Sequence, residues 1–209
     1  HVRNSRDLDG QGDYYIAVLM NLHDRLADGL ARLAALARQE DWRVGEAEGL
    51  TPTQGDILRT LIARPEGMRL TIMAAHLQVT QPTASDAVSA LERKGLLEKL
   101  ADPGDGRAVL LRATRSGRAL GKRWPLSFGA VVSALSPIDQ VALLGIVSRA
   151  IFKLQRQGAI PAQRMCLTCR YFAPNTHPGK ARPHHCRFID SSIGEGDLRI
   201  DCSDHAEAA

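Results

Sequence analysis

Apolar residues in the N-terminal part of the chain recur at steps of three and four. Tyr15, Leu19, Leu22, Leu26, Leu30, Leu33 and Ala37 form one stripe, with Arg25, Asp28, Arg32 and Arg38 off it. This period predicts an amphipathic helix over residues 13–39, preceded by ten polar residues expected to fray. Such a helix, at 1.5 Å per residue, would span about 40 Å. A small core cannot cover that length, so a partner subunit is its natural cover.

Further along, Thr51-Pro52-Thr53-Gln54 reads as a helix start with Thr51 as cap, and Ile57, Leu58, Leu61 and Ile62 continue it to a break at residues 64–67. A short helix is expected at residues 72–77. After it, Thr80 caps a second helix with Pro82 in its first turn, running through Ala84, Val88 and Leu91 to Lys94-Gly95. Two strand-like runs, residues 96–100 and 108–112, flank a stretch of turn formers at 101–107, which predicts a β-hairpin. Residues 114–124 read as helix. Ser136-Pro137 opens a last long helix with the stripe Val141, Leu144, Val147, Ile151 and Leu154, ended by residues 158–161. The expected fold is mainly α with a small β-hairpin wing. The expected organisation is an N-terminal dimerisation helix (1–48), a winged helix-turn-helix domain (49–124), C-terminal dimerisation helices (125–161) and a four-cysteine metal-binding tail (162–209).

A short helix, a tight turn, a second helix and a hairpin form the winged helix-turn-helix arrangement. The second helix fits the major groove, and its first turns carry the small polar residues Gln81, Thr83 and Ser85. Such side chains read base edges or hold phosphates, which a helix N-terminus also favours. The hairpin tip presents Arg107 to the neighbouring backbone or minor groove.

Charge sharpens this picture. The whole chain carries +4, but residues 69–123 hold ten Lys/Arg against five Asp/Glu, a net of +5. A clustered basic surface is the footprint of phosphate contact. No apolar run reaches the roughly 20 residues that a membrane helix needs. A cytoplasmic protein without a membrane partner is therefore expected. No nucleotide-binding glycine motif or catalytic triad is found, so an enzyme is not expected.

From residue 50 to about residue 121 the chain resembles the MarR family of transcriptional regulators. The resemblance rests on LTPTQGDIL (50–58), GMRLTIMAAHLQVTQPTASDAVSALERKGLLEK (67–99) and DPGDGRAVLLRATRSGRAL (102–120). Asp105-Gly106-Arg107 is its most specific element. It implies that Gln81, Thr83, Ser85 and Ser89 face the groove, that Asp105 orients Arg107 at the wing tip, and that Arg69 and Thr71 hold phosphates. It also implies a homodimer joined by interlocking terminal helices, on a palindromic double-stranded DNA operator. Many members release DNA on binding a small, often aromatic, acid or thioester. His23, Trp42 and Arg69 are candidates to line such an effector pocket. Arg93, Lys94 and Lys99 read as solvated charge.

All four cysteines fall in the tail as Cys166-x2-Cys169, then sixteen residues to Cys186 and fifteen to Cys202. Local clustering without a secretory signal points to metal or redox chemistry rather than disulfides. Four thiolates complete a tetrahedral site, with His177, His184, His185 and His205 as possible substitutes. The tail looks too polar to bury its own core, so a metal crosslink would give it a reason to fold. A zinc ribbon usually shows two close pairs, and here only the first pair is close. The order resembles that of high-potential iron–sulfur proteins, so a [4Fe–4S] cluster is expected ahead of Zn2+. Three functions follow: a repressor tuned by the cysteine site, a repressor released by a small effector with a structural zinc tail, or a redox protein using the cluster.

Overall fold

The computed structural model describes residues 21–208, apart from the side chain of Arg107. The expected helix start at residue 13, with Tyr15 and Leu19, lies outside the described residues. Helix α1 spans Leu22–Glu48, with the Asn21 side chain accepting from the His23 amide. It continues past the expected end at residue 39 because nothing stops it before Gly49, whose φ of 65° closes the helix. Leu50 then doubles back to donate to the Gly45 carbonyl at 2.8 Å. A Cβ on Gly45 would meet the Leu50 carbonyl at 2.5 Å, so only glycine permits this return.

Helix α2 (Pro52–Ile62) is closed at its start by a full capping box between Thr51 and Gln54. Strand β1 (Met68–Arg69) leads into α3 (Leu70–His76), and α4 (Gln81–Arg93) follows, with Thr80 Oγ1 accepting from the Thr83 amide. Strands β2 (Leu97–Asp102) and β3 (Asp105–Ala113) form the wing in an antiparallel sheet of order β1-β3-β2. Both strands run deeper into the 101–107 stretch than expected. Asp102 folds over to accept from the Gly104 amide at 2.8 Å, leaving only Pro103 and Gly104 between the strands. Thr114 caps α5 (Arg115–Arg123), and Ser136 caps α7 (Pro137–Arg156) after the short α6 (Gly129–Ser133).

Ile57, Leu58, Leu61, Met73, Leu91 and Leu111 are fully buried where α2, α3, α4 and the wing meet. Each such side chain contributes about 1.5–3 kcal/mol by leaving water. Trp124 lies over Gly55 of α2 so closely that a Cβ there would sit 1.9 Å from the ring. Outside this core, α1 leaves Leu22, Leu26 and Leu30 more than half exposed, and α7 does the same for Ile138 and Ile146.

The tail is built as well as crosslinkable. Strands β4 (Phe172–Ala173), β5 (His184–Cys186) and β6 (Ser191–Ile193) form a second antiparallel sheet, which the aperiodic sequence did not announce. Two 3-10 turns, Cys166–Thr168 and Glu195–Asp197, lie against α7. Met165, Ile193 and Leu198 are buried, so the tail has apolar anchors that its polar composition hid. Among the described residues, no helix is long and apolar enough to cross a membrane.

Candidate nucleic-acid interface and four-cysteine cavity

Helix α4 divides cleanly between two faces. Ala84, Ala87, Val88 and Leu91 are buried in the core, whereas Gln81 and Thr83 are exposed and Ser85 and Ser89 are half-buried. Its first turn holds no acidic residue, so the positive end of the helix dipole stays uncancelled there. Thr83 also meets Thr80 through a 2.7 Å hydroxyl pair. Thr71 is exposed on α3. Two basic residues expected to be merely solvated are ties: Lys94 donates to the Gly49 carbonyl, and Lys99 meets Glu92 at 2.7 Å, joining wing to helix.

At the turn end of the wing the guanidinium of Arg69 reaches Asp102, with Nη2 to Oδ2 at 2.6 Å, and lies 3.7 Å from Asp105. Arg69 is thus engaged with the hairpin. Asp105 faces this guanidinium, while Arg107 follows on β3 with its side chain outside the described part. The Gly104 amide, and after it Arg69, hold the Asp102 carboxyl below the usual carboxylate range. The sequence marks Asp102 as a turn former only. Its partner lies 33 residues away, and no local pattern marks such a pair.

Cys166, Cys169, Cys186 and Cys202, spread over the tail, line one cavity of about 320 Å3 together with Tyr171, Phe172, Phe188 and Ile193. All four are free and half-buried. Burial pushes the Cys166 thiol up, the Arg199 amide hydrogen bond to its Sγ at 3.2 Å opposes this, and the other three cysteines push it up again. None of the four candidate histidines lines this cavity. His184 is buried against Glu195, His185 meets Asp190, and His205 meets the Thr168 hydroxyl. Among the described residues, no three His, Cys, Asp or Glu side chains close tightly enough to hold a single metal ion.

A second cavity, of about 520 Å3, lies between α1 and α4 and is lined by Arg38, Asp41, Trp42, Thr51, Gln54 and Thr83. Asp41 is buried, and its Oδ1 has no hydrogen-bond partner. Of the three residues expected to form an effector pocket, only Trp42 is here. His23 is exposed beside Asp24, and Arg69 is at the wing.

Residues 50–109 match the model of the MarR family. Over 102 residues the chain is 33% identical to the transcriptional activatory protein BadR of Rhodopseudomonas palustris, a match covering 47% of this chain and 58% of that one. The chain therefore spans little more than half of that relative. The Staphylococcus aureus MepR–DNA complex superposes with a TM-score of 0.51 at 25% identity, covering 64% of this chain and 99% of MepR. BldR of Sulfolobus solfataricus gives a TM-score of 0.51 at 24% identity, over 62% of this chain and 99% of its own. The fold is accordingly a mainly helical winged helix of the MarR type.

Proposed function

We propose that this chain is a homodimeric, DNA-binding transcription regulator whose operator affinity is set by a metal centre on its four tail cysteines. The observation that carries the DNA half is the two-faced α4, which presents Gln81, Thr83, Ser85 and Ser89 beyond a fully apolar inner face. With the match over residues 50–109, this supports a recognition helix in the major groove and Arg107 at the wing tip. MepR, whose structure is described as a DNA complex, supports the same assignment. The exposed leucines of α1 and isoleucines of α7 support a two-fold dimer, and a two-fold dimer fits a palindromic operator. These relatives are transcription regulators, which favours that class over an electron-transfer protein. Repression is the sign we assign. BadR is named an activatory protein, so a promoter reporter with and without the chain decides the sign.

The four-cysteine cavity supports the second half. A zinc site with Zn–S bonds of 2.3 Å would draw its sulfurs to about 3.8 Å from one another. The cysteines instead surround about 320 Å3 lined by aromatic rings, which suits a [4Fe–4S] cluster better than a single Zn2+. Cys166, Cys169, Cys186 and Cys202 would hold it, and the Arg199 amide would polarise the Cys166 sulfur. Such a cluster supplies a redox- and oxidant-sensitive crosslink. The protein's own part is to fix tail against α7 and so fix the distance between the two recognition helices. Anaerobically purified protein should be brown, absorb near 400 nm and lose both properties in Cys186→Ser. Colourless protein with stoichiometric zinc would replace the cluster by a structural ion.

The second cavity favours an alternative signal for the same regulator. Arg38 and Trp42 suit a small aromatic acid or thioester, and the neighbouring α4 would feel its binding. Release from operator DNA by such a ligand, with metal content unchanged, would support this version.

A further inference from the structure

We infer that Asp201 is the positioning residue that transmits the state of the cysteine cavity to the DNA-reading head, a conclusion resting on the metal-tuned reading above. Arg64 stands in the turn between α2 and β1, immediately before the helix-turn-helix pair, and is only 7% exposed. Both ends of its guanidinium face Asp201, with Nη2 to Oδ1 at 3.1 Å and Nη1 to Oδ2 at 3.0 Å. The same carboxylate accepts from Arg164 Nε at 2.8 Å, and Arg164 in turn approaches Glu66 at 3.8 Å and the Ala63 carbonyl at 3.5 Å. Two tail residues and the 63–66 turn of the head thus interlock around one carboxylate.

That carboxylate is next in sequence to a cavity cysteine. The Cys202 amide donates to the Arg164 carbonyl at 2.8 Å, and the Cys166 amide donates to the Arg199 carbonyl at 2.9 Å. Cys166 and Cys202 therefore lie on two paired segments, 164–166 and 199–202, whose sulfurs line the cavity while Asp201 faces the head. The same tail is also held on α7: Glu195 lies beside Gly145, Gly196 lies against Val141, and the Gln155 side chain accepts from the Gln163 amide at 2.9 Å. A tail fastened both to α7 and to Arg64 is a strut between the dimerisation region and the head. Drawing the four sulfurs together or releasing them moves Cys202, and Asp201 must follow it. A buried guanidinium resists losing its paired carboxylate far more than an exposed one would, so the head moves with the tail.

The test compares the full chain reconstituted anaerobically with ferric iron, sulfide and a thiol reductant against the same chain stripped by chelator. Three proteins are used: wild type, Asp201→Asn, and Asp201→Asn combined with Arg64→Met. The double variant removes the buried guanidinium together with its carboxylate, and Arg164 keeps Glu66 at 3.8 Å, which guards against simple misfolding. Wild type should show a tenfold or larger ratio of operator affinity between the two states, with loading-dependent hydrogen-exchange protection of amides 61–78. In both variants the ratio should fall below twofold and the protection difference should vanish while iron content stays unchanged; the melting transition should fall in Asp201→Asn and recover in the double variant. A double variant that keeps the wild-type ratio and protection overturns the inference. A wild-type protein that loads iron but shows no ratio overturns the metal-tuned reading itself, and the inference with it.

Discussion

Arg69 and Asp102 face each other at the turn end of the wing, Nη2 to Oδ2 at 2.6 Å, and Asp102 in turn closes the hairpin through the Gly104 amide. One carboxylate thereby both closes the turn and ties the outer end of the wing to Arg69.

Asp102→Asn should lower operator affinity several-fold and leave the melting temperature almost unchanged. The sign with pH follows from the depressed carboxyl, whose largest cause is the Gly104 amide and whose second is Arg69. A depressed group contributes fully above its unfolded value of about 3.9 and loses that contribution only as pH falls through the folded value. The tie is therefore complete at neutral pH, and the asparagine variant imitates strong acid there. Fluorescence anisotropy on operator DNA at pH 7 measures the effect, and unchanged affinity would remove Asp102 from the wing's function.

Gln81 is exposed in the first turn of α4. Gln81→Ala should cost about 1–3 kcal/mol in binding its preferred operator and relax selectivity at one base pair. Binding to a panel of single-base operator variants distinguishes this from phosphate contact. A loss equal across all sequences would assign Gln81 to the backbone.

Gly55 has no room for a side chain, since a Cβ would stand 1.9 Å from Trp124 Cε2. Gly55→Ala should destabilise the head by about 1–3 kcal/mol or more through overpacking. Calorimetric melting should show the transition falling by several degrees, and Gly55→Ala in a Trp124→Leu background should fall less. Equal losses in both backgrounds would mean the ring is not the obstacle.

His76, at the end of α3, is held below its ordinary value by burial first and by Arg64 second. Its contribution to stability is therefore present above about pH 6.5 and is lost as pH falls through the lower folded value. Denaturant titrations between pH 7.5 and pH 5 should show declining stability, and His76→Phe should flatten that decline. An unchanged slope in the variant would place the acid sensitivity elsewhere.

Local chemistry made much of the head legible. Thr51, Thr80, Thr114 and Ser136 all cap the helices that their sequence context predicts, because capping involves residues three apart. The apolar period placed Ala84, Val88 and Leu91 on the inner face of α4 for the same reason. Illegible features depend on partners distant in the chain. Arg64 and Asp201 are 137 residues apart, and an arginine in a Pro-containing turn reads as surface charge until its burial is seen. The cysteines drew attention by spacing, yet the strands between them are two or three residues long, too short for any period to register.

The uncovered leucines at the start of α1 carry a consequence for dosage. On the dimeric reading proposed above, a subunit that hides them against a second copy gains stability by mass action, so its folding and its operator affinity would both rise with the amount of protein in solution. Abundance itself would then be an input to regulation, alongside the metal centre proposed for the cysteines.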